Sequence, residues 1–216
     1  MKKNIYLIAI LVALLMATLA CSVLETDITP ELPQSLLFQD DFSDTSSGWD
    51  QVDTTEGSTD YENGYYRIVV YTDNMDVWAN PGLTFTDTLI EVDATKAAGP
   101  DDNDLGVICR YQDVDNFYFF IISSDGYFAV GKVVDGEQLL IDADQMYPSD
   151  AINQGTSANH IQADCVGSQL TFYVNGTELA NVSDTTFSDG DVGLIAGTFS
   201  EAGADIHFDN FKVSKP

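Results

Sequence analysis

The sequence predicts an all-β fold, a sandwich of two antiparallel sheets, on three observations. Segments rich in Val, Ile, Phe, Tyr and Thr follow one another at short spacing through most of the chain, the pattern of a sandwich rather than of alternating strands and helices. Asx-Gly dipeptides separate them at Asn63-Gly64, Asp125-Gly126, Asp135-Gly136, Asn175-Gly176 and Asp189-Gly190. Such pairs supply the positive φ angles that tight antiparallel reversals need. Segments with helical periodicity are nearly absent.

In chain order, residues 1–20 come first. Lys2 and Lys3 precede an apolar run with no charge and no proline, ending at Ala20. The run is too short for the roughly 20 residues that span a bilayer and has the layout of a secretory signal. Ala17-Thr18-Leu19-Ala20-Cys21 resembles the lipobox of bacterial lipoproteins, which implies that Cys21 is acylated and opens the mature chain. Residues 21–35 are polar and acidic with Pro30 and Pro33, a tether. One domain is expected over 36–216, with its clearest strands at 65–72, 83–96, 105–112, 116–123, 127–134, 160–166, 170–174, 192–199 and 205–213.

The 216 residues carry 35 Asp and Glu against 8 Lys and Arg. Losing Lys2 and Lys3 with the signal leaves 6 basic groups and a net charge of −29. Nucleic acid and anionic lipid would repel such a surface, so the membrane is met only through the lipid on Cys21 and the chain is exported to the cell envelope.

Asp40-Asp41-Phe42-Ser43-Asp44 with Gly48-Trp49, the run from Gly106 to Tyr111 continuing through Asn116 to Phe120, Val174-Asn175-Gly176 and the closing run from Phe208 to Val213 resemble a concanavalin A-like jelly roll. Within that fold they are similar to laminin-G-like, family-16 glycoside hydrolase-like and 3-keto-disaccharide hydrolase-like domains. The resemblance marks the fold better than any activity. Trp49, beside Gly48, is expected in the core.

The family-16 hydrolases carry Glu-x-Asp-x-x-Glu on one strand. Here the nearest match is Glu91-Val92-Asp93-Ala94-Thr95-Lys96, with lysine where the second catalytic carboxylate belongs. An ammonium group cannot replace the acid that protonates a leaving oxygen. His160 and His207 have no Cys or His at zinc-ligand spacing, and no Gly-x-Ser-x-Gly elbow is present. No catalytic residue is assigned, and the acidic loops around Asp101-Asp102-Asn103-Asp104 and Asp113-Val114-Asp115 are expected to be solvated surface. The resemblance implies one structural Ca²⁺, with Asp209 as its last-strand ligand and Asp41 and Gly64 as early partners.

Cys109 and Cys165 both alternate with apolar residues and point to a core, either as a disulfide or as two buried thiols. If the cysteine face is the core, alternation puts Arg110 on the opposite, concave face. Tyr118, Phe120 and Lys132 would share that face, with Trp78 and Tyr71 near its edge. Aromatic rings with a guanidinium and amides suit saccharides. The competing arrangement pairs Arg110 with a carboxylate and leaves the aromatics in the core. The sequence therefore favours a non-catalytic carbohydrate-binding or adhesive module whose partner is a glycan or polysaccharide, or a surface protein. The alternatives are a glycoside or 3-keto-disaccharide hydrolase, or a protein–protein interaction module.

Overall fold

A computed structural model of the chain describes residues 35–216; the signal segment 1–20, Cys21 and the tether up to residue 34 lie outside the described residues. Among the described residues there is no helix. The strands in order are β1 (Ser35–Asp40), β2 (Val52–Asp53), β3 (Gly57–Glu62), β4 (Tyr65–Val70), β5 (Met75–Ala79), β6 (Thr88–Ala98), β7 (Asn103–Asp113) and β8 (Asn116–Ile122). They continue as β9 (Tyr127–Val134), β10 (Glu137–Leu140), β11 (Tyr147–Pro148), β12 (Asn159–Val166), β13 (Gln169–Val174), β14 (Thr177–Ser183), β15 (Asp191–Thr198) and β16 (Ala204–Lys215).

They form two antiparallel sheets. The nine-stranded sheet runs β14-β13-β12-β6-β16-β4-β3-β2, with β1 on β16; the seven-stranded sheet runs β10-β9-β8-β7-β15-β5, with β11 on β9. Four of the Asx-Gly pairs make the expected hairpins, with Asp125-Gly126 turning β8 into β9 through a positive φ at the glycine alone. Asn63-Gly64, Asp135-Gly136 and Asn175-Gly176 have positive φ at both residues, as a type I′ turn requires. Asp189-Gly190 instead leads into β15, and Gly190 bridges to Phe85. That bridge interrupts the long strand expected over 83–96, which begins only at Thr88.

The inner faces follow the alternation. Ile90, Val92 and Ala94 of β6 and Ile161, Ala163 and Cys165 of β12 are buried in one continuous core with Val107, Cys109, Phe120, Leu194 and Ala196 of the facing sheet. Burial of each large aliphatic or aromatic side chain contributes about 1.5–3 kcal/mol, which holds the layers together. At one end Trp49 packs edge-on to Phe211 and beside Phe42 and Tyr66, while its indole N–H donates to Asp40. Cys109 of β7 and Cys165 of β12 form a disulfide between the sheets, their Cα atoms 6.8 Å apart.

Two expectations about facing are corrected. Cys109 lies directly opposite Tyr118, and Val107 opposite Phe120. Opposed residues share a face, so Tyr118 and Phe120 point into the core and Phe117 and Phe119 point out. Arg110 has φ 51° at a shift of register in β7. This bulge breaks the alternation, and the Arg110 side chain is buried, at 2% exposure.

Candidate functional site

The outer face of the seven-stranded sheet carries an apolar layer of its own. Ile108, Phe117, Phe119, Ile121, Ala129 and Ile195 are buried there, and half-buried Trp78, Tyr111, Val133, Leu140 and Met146 pack on them. A sheet face that met only water would alternate to polar residues; here the chain's own side chains cover the layer, and Trp78 and Tyr111 remain partly exposed on it. Phe117 is its centre: the Trp78 ring lies 5.4 Å from it and the Tyr111 ring 5.6 Å, centroid to centroid. β5 positions Trp78 opposite Ile195, and the β7 bulge turns Tyr111 outward opposite Asp191. Burial raises the Tyr111 phenol's pKa, the Trp78 contact partly offsets that rise, and the nearby charges of Asp50, Asp113 and Asp191 add to it. Two partly exposed rings rimmed by carboxylates can stack on a sugar ring and accept bonds from its hydroxyls.

The residues singled out from the sequence are dispersed. Tyr118 and Phe120 have no exposed surface to offer a ligand. Arg110 donates to the Phe187 carbonyl at 2.8 Å and, at 3.4 Å, to the carbonyls of Thr86 and Cys165 and to Asp87. It ties loop 84–87 and the approach to β15 onto β12. Lys132 pairs with Asp184, which also accepts the Tyr118 hydroxyl. Burial pushes the Asp184 carboxyl up, but the bonds from Lys132, Thr186 and Tyr118 outweigh it and hold the group well below the usual carboxylate range. Tyr71 is exposed and donates to Ser58 in a shallow hollow beside Arg67 and Glu62. Of the six, Trp78 alone stands on the apolar outer face.

Sequence reasoning missed Tyr111, Asp76 and Asp104. Asp104, expected on a solvated loop, lies in β7 and is buried. Gly197 of β15 is paired with Asp76 of β5 on one side and Asp104 of β7 on the other, and both carboxyl groups lean over it, where a Cβ would collide with them. Burial drives Asp104 well above the ordinary carboxylate range, and the Asp76 charge adds to it; burial raises Asp76 as well. The two carboxyls are in hydrogen-bonding contact. Glycosidase pairs stand roughly 5–9.5 Å apart around the scissile bond, so this pair lacks that geometry. Asp76 carried a signal in the sequence, a lone Asp in the otherwise apolar Met75–Ala79 segment, whereas Asp104 was masked by the acidic residues before it.

Glu91 and Asp93 lie on the outer face of the other sheet, engaged by Lys212 and by His160 and Asn210. Asp93 borders an open groove of about 600 Å³ that contains both histidines, with His207 stacked on Tyr65 at 3.9 Å. Asp209 is also there, and its Oδ1 accepts its neighbour Asn210's amide. Asp41 is exposed and accepts from Ser43, while Gly64 sits in the β3–β4 turn. Among the described residues no three His, Cys, Asp or Glu side chains gather to hold a metal. Asp41 and Asp209, two of the positions that the resemblance implies for Ca²⁺, thus belong to no such cluster.

No protein-family model matches the chain, and no curated protein does. Solved structures do. The carbohydrate-binding module CBM66 from Bacillus subtilis superposes with a TM-score of 0.65 at 19% identity, covering 78% of this chain and 96% of its own. A Bacillus subtilis protein of unknown function with a galectin-like fold gives 0.60 at 12% identity, covering 84% and 96%. The Bacillus licheniformis β-glucanase gives 0.59 at 13% identity, covering 86% and 100%. The described domain is a concanavalin A-like jelly roll, an architecture found in both carbohydrate-binding modules and glucanases.

Proposed function

We propose that the protein is an exported lipoprotein, anchored through Cys21 at the cell envelope, whose jelly roll binds a glycan without cleaving it. The observation that carries this reading is the outer apolar layer of the seven-stranded sheet, with Trp78 and Tyr111 flanking Phe117 beneath a rim of carboxylates. Charge narrows the ligand. Among the described residues Arg67, Lys96, Arg110, Lys132 and Lys212 all pair with carboxylates, and exposed Lys215 ends β16 in the other sheet, so no spare Lys or Arg stands on this face for an acidic polysaccharide. A neutral glycan suits the face.

The test is a glycan array of neutral and acidic polysaccharides probed with the unlipidated chain from Ser22. Binding is expected on neutral chains, and Trp78→Ala and Tyr111→Ala should each weaken it about tenfold, equivalent to about 1.4 kcal/mol. Binding that both variants leave unchanged, or silence from folded protein, overturns the reading.

A further inference from the structure

We infer that Asp76 and Asp104 share one proton across Gly197, and that this proton clamps the edge strand β5, with Trp78, onto the seven-stranded sheet. The inference rests on the glycan-face reading only for its functional consequence.

The clamp follows from register and burial. β5 is five residues long and is the last strand of its sheet, paired only with β15. Asp76 and Asp104 come from the strands on either side of β15 and meet over Gly197, the position without a side chain to separate them. Asp104 is 2% exposed, and its Oδ1 has no hydrogen-bond partner. A neutral acid tolerates such an orphan oxygen far better than a carboxylate does. The proton therefore sits on Asp104, whose O–H donates to the half-buried carboxylate of Asp76.

No cation is placed to neutralise a second negative charge. The charged groups on the neighbouring segments are Asp73 before β5, Asp101 and Asp102 before β7, Asp125 in the β8–β9 turn, Glu201 after β15, and Lys96, which pairs with Asp101. Burial and mutual repulsion both hold the second proton on, and the pair titrates as a unit. When that proton leaves, two carboxylates face each other in a low-dielectric contact. β5 can yield, because nothing pairs with its other edge. The folded pair's affinity for protons exceeds that of the unfolded chain, so its contribution is complete at low pH and is lost as pH rises through the pair's raised titration. Trp78 lies two residues from Asp76 on the same face, so the loss reaches the stacking ring.

The experiment is amide hydrogen exchange on the unlipidated chain from pH 4 to 10, corrected for intrinsic rates and read at residues 75–79 against β7 and β8. Wild type should lose at least tenfold protection in β5 as pH rises beyond the ordinary carboxylate range, while β8 stays protected. Asp104→Asn, whose amide donates to Asp76 but cannot ionise, should keep β5 protected throughout. Asp76→Asn, which removes the charge from the partner, should flatten the profile in the same way and covers the case in which Asp104→Asn does not fold. Wild-type protection independent of pH, or a profile that both variants share with wild type, overturns the clamp. Exchange needs no ligand. A failed glycan array would therefore remove the functional consequence and leave the clamp to be decided on β5 alone.

Discussion

Cys109 of β7 and Cys165 of β12 join the two sheets across the core, 56 residues apart in sequence. On each strand the cysteine replaces an apolar inward residue in the alternation, so the bond passes through the hydrophobic layer rather than around it. Exported proteins keep such bonds oxidised.

Closing a loop of that length restricts the unfolded chain by about 4 kcal/mol in chain-entropy terms. The Cys109→Ala/Cys165→Ala double variant should therefore unfold roughly 10 °C lower than wild type, taking about 2–4 °C per kcal/mol for a domain of this size. Thermal melting of the variant, and of wild type with and without reductant, measures it. Equal melting temperatures would show that the bond adds nothing.

Arg110, buried at 2% exposure, is expected to act on stability and not on ligand binding. Its guanidinium serves carbonyls of three separate segments, and its one carboxylate partner, Asp87, is 43% exposed at the side chain. Arg110→Met keeps much of the volume and removes the donors, leaving the Phe187 carbonyl unmatched. A loss of about 2–3 kcal/mol is expected in denaturant unfolding, with glycan affinity unchanged for the fraction that remains folded. Lost affinity with full stability would return Arg110 to the binding face.

How far the sequence carries this architecture depends on where each residue sits. Strand 160–166 was legible because one face is buried and alternates, and 127–134 because its apolar run feeds the layers on both faces of its sheet. β3, with Ser58, Thr59 and Asp60, and the edge strands β5 and β14 were not, since edge strands bury no continuous apolar row. The site suffered more than the fold. Whether Phe117 or Tyr118 points outward depends on the β7–β8 register, and slipping a pairing by one residue exchanges the faces. The bulge at Arg110 is equally local: nothing in Ile-Cys-Arg-Tyr announces a positive φ at a non-glycine residue. Trp78 was read from the sequence only as an aromatic near the edge of a concave face, and its place beside Phe117 on the outer face depends on β5, which the sequence did not reveal.

Calcium removal should leave the domain unchanged. The carboxylates of Asp41 and Asp209 are each turned to local amides, and no third acidic side chain joins them. Melting in excess EGTA is expected to match melting in millimolar Ca²⁺ within a degree. A rise of several degrees with Ca²⁺ would mean that main-chain oxygens near these residues complete a site after all.

Asp184 should set the acid limb of the stability profile. Its carboxylate is 14% exposed at the side chain and gathers Lys132, the Tyr118 hydroxyl and the Thr186 amide. Burial alone would raise its pKa, and these donors reverse the shift. With the folded value below the unfolded one, the stabilisation is complete above the unfolded carboxylate range near 4 and drains away as pH falls through the folded value. Asp184→Asn removes the ionisable group while keeping a side chain able to accept from Tyr118. Its unfolding free energy should be lower than that of wild type at pH 7, and the gap should close as pH falls towards 2. A gap that stays constant across that range would mean that the network holds β9 to segment 184–187 by shape and neutral hydrogen bonds alone, with the charge on Asp184 contributing nothing.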